Sequence, residues 1–150
     1  MNKKVVLIVD DEPANINLVA EILHNLYEIR IATNGMTALG MIEKAKPNLI
    51  LLDINMPQMN GYEVAAKLKS SKETTSIPFI FLTAKSDAQS IVEGFKHGAV
   101  DYISKPFSVE VLKFKINAIL KRSDIVEKKI FIYRDLKMDY DAKRVYKNDK

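Results

Sequence analysis

Three acids follow the best strand-forming run of the chain: after Val5–Val9 come Asp10, Asp11 and Glu12, then Pro13. Neighbouring carboxylates raise each other's cost of ionising. The cluster therefore either holds something cationic or is a solvated strand end whose charge suits a helix N-terminus. Other residues that could do chemistry end other apolar runs. Asp53 ends Asn48–Leu52, Thr83 and Ala84 end Ile77–Leu82, and Lys105 with Pro106 follows Val100–Ile103. A hard divalent cation, magnesium above all, accepts a few carboxylates, keeps waters and takes phosphate oxygens. Lysine supplies a mobile point charge for phosphate, and threonine a hydrogen bond. No histidine or cysteine belongs to the set, so a carboxylate would itself be the nucleophile and give an acyl phosphate. The chemistry indicated is phosphoryl transfer, in which positioning and charge neutralisation do most of the work.

The elements that must position these groups alternate. Strand-like runs occupy Lys4–Val9, Glu28–Ala32, Asn48–Leu52, Ile77–Leu82 and Val100–Ile103. Between them apolar residues recur three or four apart, as in Ile16, Val19, Leu23 and Leu26, or Leu112, Ile116, Ile119 and Leu120. Pro13 suits a first helical turn, Asn34 and Ser86 suit N-caps, and Gly98 after Lys96-His97 reads as a C-cap. Nearly continuous apolar strands alternating with helices predict a parallel sheet covered on both faces, an open α/β sandwich. In such sheets function gathers beyond the carboxyl ends of the strands. That is where all the residues named above fall.

The totals exclude other classes. The 150 residues contain no cysteine, so there is neither disulfide nor thiolate metal site, which fits a reducing cytosol. The apolar runs are too short to span a membrane, and Met1-Asn2-Lys3-Lys4 does not lead into a signal-peptide core. A net charge of +4 with interspersed signs does not call for nucleic acid.

The stretches "LIVDDEPAN", "LILLDINMPQMNGYEV", "IPFIFLTAKSD" and "GAVDYISKPF" make residues 4–122 resemble the receiver domain of two-component response regulators. The resemblance implies a flavodoxin-like doubly wound sheet of order 2-1-3-4-5 and a cytoplasmic signalling domain. Such a domain catalyses its own phosphorylation and dephosphorylation rather than acting as an enzyme on a separate substrate. By the same resemblance Asp53 is the phosphoacceptor, served by a sensor histidine kinase or phosphotransfer protein. Magnesium is held by Asp11, Asp53 and Asn55 (through its backbone carbonyl), with Asp10 acting through water. Lys105, Thr83 and Ala84 meet the phosphoryl group, the Lys105–Pro106 bond is cis, and Tyr102 turns inward as Thr83 moves. Asn55 and Lys85 tune phosphoryl lifetime. Pro57 stiffens the loop after the acceptor, and Gly61 is expected to take a positive φ there.

Residues 123–150 form a second segment, with strand-like pieces at Ile130–Tyr133, Leu136–Tyr140 and Arg144–Tyr146. "IFIYRDLKMDYDAKRVYKND" resembles the opening of the winged-helix DNA-binding domain of OmpR-type transcription regulators. No recognition helix follows in this sequence, so DNA contact would need an output domain that it lacks. OmpR-type receivers dimerise through helix 4, strand 5 and helix 5 by paired charges. Glu93, Val100-Asp101 and Val111 depart from that pattern, which leaves a more apolar homodimer face as the alternative. Two competing readings remain: a receiver acting through protein contacts or an attached enzyme, and a magnesium-dependent phosphatase of similar topology. The second lacks the additional aspartate that haloacid-dehalogenase-like phosphatases carry two residues after the first.

Overall fold

Runs that are apolar at nearly every position are satisfied in the interior of a sheet, and three such runs take that place. The computed structural model of the protein describes residues 3–122. In it β1 (Val5–Val9), β2 (Glu28–Ala32), β3 (Leu49–Leu52), β4 (Phe79–Thr83) and β5 (Asp101–Ser104) form one parallel sheet of order β2-β1-β3-β4-β5. Every residue of β3 and β4 is buried, whereas the edge strand β2 buries only Ala32. The helices between them are α1 (Pro13–Leu23), α2 (Gly35–Lys44), α3 (Gly61–Lys69) and α4 (Ala88–Lys96). A fifth, α5, begins at 109. The chain divides into two compact units, Met1–Ile116 and Asn117–Lys150. The second is described only over 117–122, which is helical. The strand-like pieces read in 123–150 lie outside the described residues.

Alternation along the strands makes the two layers. Leu7, Val9, Ile50, Leu52, Phe79, Phe81 and Tyr102 join Ala38 and Ile42 of α2 and Val64, Ala65 and Leu68 of α3 in one core. The intervening Val6, Ile8, Leu51, Ile80 and Leu82 are equally buried, as are Ile16, Val19 and Leu23 of α1. Flavodoxin-like topology, with helices covering both faces, is thus what the alternation of runs predicts.

Several boundaries differ from the sequence reading, each for a local reason. Strand β4 starts at Phe79 rather than Ile77 because Pro78 has no N–H to donate; its carbonyl still accepts from Ile50 N at 3.1 Å. Strand β5 runs one residue later, ending at Ser104, and Lys105 N then donates to Thr83 O at 2.8 Å. Leu26 lies beyond the end of α1 and is half exposed. Asn34 caps α2 by accepting from Thr37 N at 2.8 Å. The cap of α4 is Asp87, not Ser86: its carboxylate accepts from Ser90 N at 3.0 Å and from the Ser90 hydroxyl at 2.8 Å. A charged acceptor at that position outcompetes a neighbouring serine.

Gly40 sits exposed inside α2, and a Cβ built on it meets nothing within 4 Å. Replacing it with alanine removes backbone freedom from the unfolded chain at no steric cost. Gly40→Ala is expected to stabilise the protein by roughly 0.5–1 kcal/mol. A higher midpoint in urea, at unchanged slope, would show it; an unchanged or lower midpoint would contradict it.

Candidate functional site

Strand register does the positioning. Val9 pairs with Leu52 across β1 and β3, so the residues that follow, Asp10 and Asp53, leave the sheet side by side. Asp53 N donates to Val9 O at 2.9 Å and Asp10 N to Ala32 O at 3.2 Å, which ties both acids to the ladder. Thr83 pairs with Ser104 across β4 and β5, and Lys105 comes next. Four strand ends thus bring two buried acids, a buried threonine and a lysine to one place.

The charges there are partly balanced within the chain. Lys105 Nζ lies 2.9 Å from Asp10 Oδ2 and 3.8 Å from Asp53 Oδ2. The other Asp10 oxygen, Oδ1, accepts from Glu12 N at 3.0 Å. The Thr83 hydroxyl and the Asn55 backbone N–H sit beside the Asp53 carboxylate and favour its ionised form. Burial pushes the Asp53 carboxyl above its ordinary value. The Thr83 hydroxyl and the Lys105 charge oppose that rise, and the Asp10 charge adds to it. Among the described residues, Asp10, Asp11 and Asp53 can each offer a carboxylate oxygen such that all three lie within 4.8 Å of one another. Asp11 is exposed, unlike the other two. An all-oxygen donor set with room for water fits a hard divalent cation.

An open cavity of about 480 Å³ over these acids is lined by Asp11, Glu12, Asn15, Asp53, Asn55, Ala84 and Lys105. Glu12 belongs to the acid cluster read from the sequence; Asn15 was not singled out there. The position of Asn15 in the first turn of α1, beside an acid pair, is the signal that could have found it. The Lys105–Pro106 peptide is cis. Two other candidates lie to one side of the cluster. Tyr102 is buried and its hydroxyl donates to Lys85 O at 2.7 Å, with burial pushing the phenol up to about 12. Lys85 lines a neighbouring hollow with Tyr62, Asp87, Gln89, Ser90 and Glu93.

The loop after Asp53 corrects one expectation. Gly61 does not take the positive φ; the non-glycine residue that does is Gln58, at 71°. Gly61 is needed for a different reason. A Cβ there would overlap the Asp53 carbonyl oxygen and stand 2.8 Å from Ile54 Cα. The close approach lets Gly61 N donate to Ile54 O at 2.8 Å. Asn60 then starts α3 with a reciprocal cap, accepting from Glu63 N at 2.9 Å while its own N–H donates to Glu63 Oε1 at 2.8 Å.

Comparison with known proteins places this geometry. Residues 6–117 match the response regulator receiver domain family. A Vibrio cholerae protein named "Probable cyclic di-GMP phosphodiesterase" is 43% identical over 116 residues, covering 77% of this chain and 26% of that protein. The transcriptional regulatory protein SrrA of Staphylococcus aureus is 39% identical over 149 residues, covering 93% of this chain and 61% of SrrA. A CheY-like receiver domain protein from Methanospirillum hungatei superposes with a TM-score of 0.76 at 31% identity, covering 82% of this chain and 98% of that one. The chain spans between 26% and 64% of the lengths of the curated relatives it aligns with.

Proposed function

The chain belongs to the response regulator receiver domain family, and from that premise we propose that it is a phosphorylation-dependent switch with Asp53 as the phosphoacceptor. The observation that carries this reading is the Lys105 ammonium set between Asp10 and Asp53 in a three-carboxylate cluster. Asp10, Asp11, Asp53 and the backbone carbonyl of Asn55 are the groups that would hold Mg2+. Bound there, the ion would offset charge on the phosphoryl oxygens during transfer.

The chain's own groups do the rest. Both Asp10 oxygens are engaged, one by Lys105 and one by the Glu12 amide, whereas Asp53 stands 3.8 Å from Lys105 and lines the open cavity, so Asp53 is the carboxylate placed to attack. An Asp53 oxygen bonds to phosphorus as the donor's bond to phosphorus breaks, and water later cleaves the acyl phosphate. Lys105 passes from the acids to a phosphoryl oxygen, a short movement for a flexible stem. The Thr83 hydroxyl, beside Asp53, turns to the phosphoryl group, with Ala84 next to it. Tyr102 holds the inward position against β4 and α4. Asn55 and Lys85, flanking the approach, set phosphoryl lifetime. The donor is a sensor histidine kinase or phosphotransfer protein, in the cytoplasm.

Removing the lysine should be costly. Lys105→Ala leaves the buried acids without their cation, and lost stability of about 2 kcal/mol is expected, between values for exposed and fully buried pairs. Added Mg2+ should recover part of it. Equal urea midpoints for wild type and variant without metal would contradict the assignment.

For the output we infer control of transcription, supported by the SrrA alignment, which extends past the 6–117 receiver match. DNA contact then belongs to a domain beyond this sequence. An attached enzyme is the second reading, favoured by the Vibrio cholerae relative. The homodimer face would be apolar. Val92, Phe95, Val100, Val111 and Phe114 are exposed there, while Asp101 is paired with Lys115 at 3.0 Å within the chain. Intact-mass measurement after incubation with acetyl phosphate tests the switch. One added phosphoryl group that disappears with chelator is expected; no adduct with metal present would overturn it.

A further inference from the structure

One side chain of α3 holds α4 at both ends. The Tyr62 hydroxyl donates to the Ser90 carbonyl at 3.3 Å, in the first turn of α4. Its ring stacks on the imidazole of His97, the C-cap of α4, with centroids 4.8 Å apart and planes at 24°. His97 is itself fixed. A carbonyl can only accept, so His97 Nδ1 carries a proton and donates to Glu93 O at 2.9 Å. The Glu93 carboxylate lies 3.5 Å from the same nitrogen.

Tyr62 also packs against β4. Its ring meets the Phe81 edge at 5.5 Å and 71°, and Phe81 lies 6.0 Å from the Tyr102 ring. Its chain neighbour is Gly61, which bonds to Ile54 O beside Asp53 and admits no Cβ. Gly94 of α4 closes the group: a Cβ there would come within 2.8 Å of the Tyr102 ring. Both ends of α4 therefore meet at Tyr62, with the acceptor loop joined through Gly61 and Tyr102 one ring away across Phe81. A leucine at this position could fill the space against Phe81, but it could make neither the stack nor the hydrogen bond.

We propose that Tyr62 is a positioning residue that ties α4 to the loop following Asp53, so that a rearrangement at Asp53 reaches the α4 surface through this ring. The transmission part rests on the phosphorylation reading above; the tether itself does not. A coupling claim needs an element whose arrangement both sites bias, and α4, held at both ends by this ring, is the element to be tested for it. Loss of the tether should free α4 selectively, whereas loss of mere packing should weaken every element alike.

The test is amide hydrogen exchange on wild type, Tyr62→Phe and Tyr62→Leu, with and without Mg2+ and acetyl phosphate. Phosphoryl occupancy is read by intact mass on the same samples. In resting Tyr62→Leu, α4 amides should exchange at least about tenfold faster while β1 and β3 amides keep their rates. Phosphorylation should proceed within about twofold of wild type, yet its effect on α4 exchange should be largely lost. Tyr62→Phe keeps the stack and should fall between the two. Unchanged α4 exchange in Tyr62→Leu, or equal acceleration in all elements, would overturn the tether. A normal tether effect with no adduct in wild type would sink the phosphorylation reading instead. If Tyr62→Leu does not fold, His97→Gln removes the stack from the opposite side and carries the same comparison.

Discussion

Asp53→Asn is expected to take up no phosphoryl group from acetyl phosphate and Mg2+, where wild type should gain one. An amide offers no anionic oxygen to attack phosphorus. The neighbouring acids cannot substitute: Asp10 is engaged at both oxygens by Lys105 and the Glu12 amide, and Asp11 is exposed, outside the ion pairs that Lys105 makes. Labelling of the variant at the wild-type level, read by intact mass, would show that another group accepts.

The same substitution should change the pH dependence of folding. Burial raises the Asp53 carboxyl above its ordinary value, so its ionisation opposes the folded state. The folded chain holds this proton more tightly than the unfolded chain. Stability from this group is therefore full below the unfolded value, about 3.9 for aspartate, and is lost as pH rises through the folded value. Asparagine has no such slope. With chelator present, Asp53→Asn should be more stable than wild type at neutral pH, with the advantage shrinking as the solution is acidified. A constant difference across that range in denaturant titrations would mean that burial of this charge is not what the substitution relieves.

Gly61→Ala is expected to cost about 3 kcal/mol, at the upper end for overpacking. The atoms in the way are backbone, the Asp53 carbonyl oxygen and Ile54 Cα, and they cannot swing aside as a side chain would. Asp53 N is held by Val9 O at 2.9 Å and Gly61 N by Ile54 O at 2.8 Å, so relief in either direction breaks a ladder or loop hydrogen bond. For a domain of this size the thermal midpoint should fall by about 10 °C. Gly40→Ala, the same chemical change in open space, should move it the other way. Similar midpoints for the two variants would show that the loop can relax, and that the close approach is not required.

These two glycines mark where the sequence stops being informative. The stretch around Gly61 marks it as a special position, but the reason read from the sequence, a positive φ, is not the one the structure shows. What separates the two glycines is that Ile54, seven residues before Gly61, is folded back against it, while nothing is folded against Gly40. Pairing of Tyr62 with His97 is hidden for the same reason, since a stack between residues 35 apart in the chain leaves no periodic signal.

The sheet and its acids, by contrast, were legible. Runs such as Leu49–Leu52, apolar at every position, have no stable place except a covered parallel strand, and alternation with helical stretches follows from that. Once the strands are parallel, residues at their carboxyl ends share one edge, so Asp10, Asp53, Thr83 and Lys105 had to gather there. By itself the sequence determined which elements form and which residues meet at their ends, because burial patterns are local and repeat. Tertiary structure alone decided that Lys105 sides with Asp10 at 2.9 Å rather than Asp53 at 3.8 Å, that Gln58 carries the positive φ, and that Asp87 caps α4. The first depends on a difference of about an ångström between groups brought together from distant strands, and the other two on the local course of a loop.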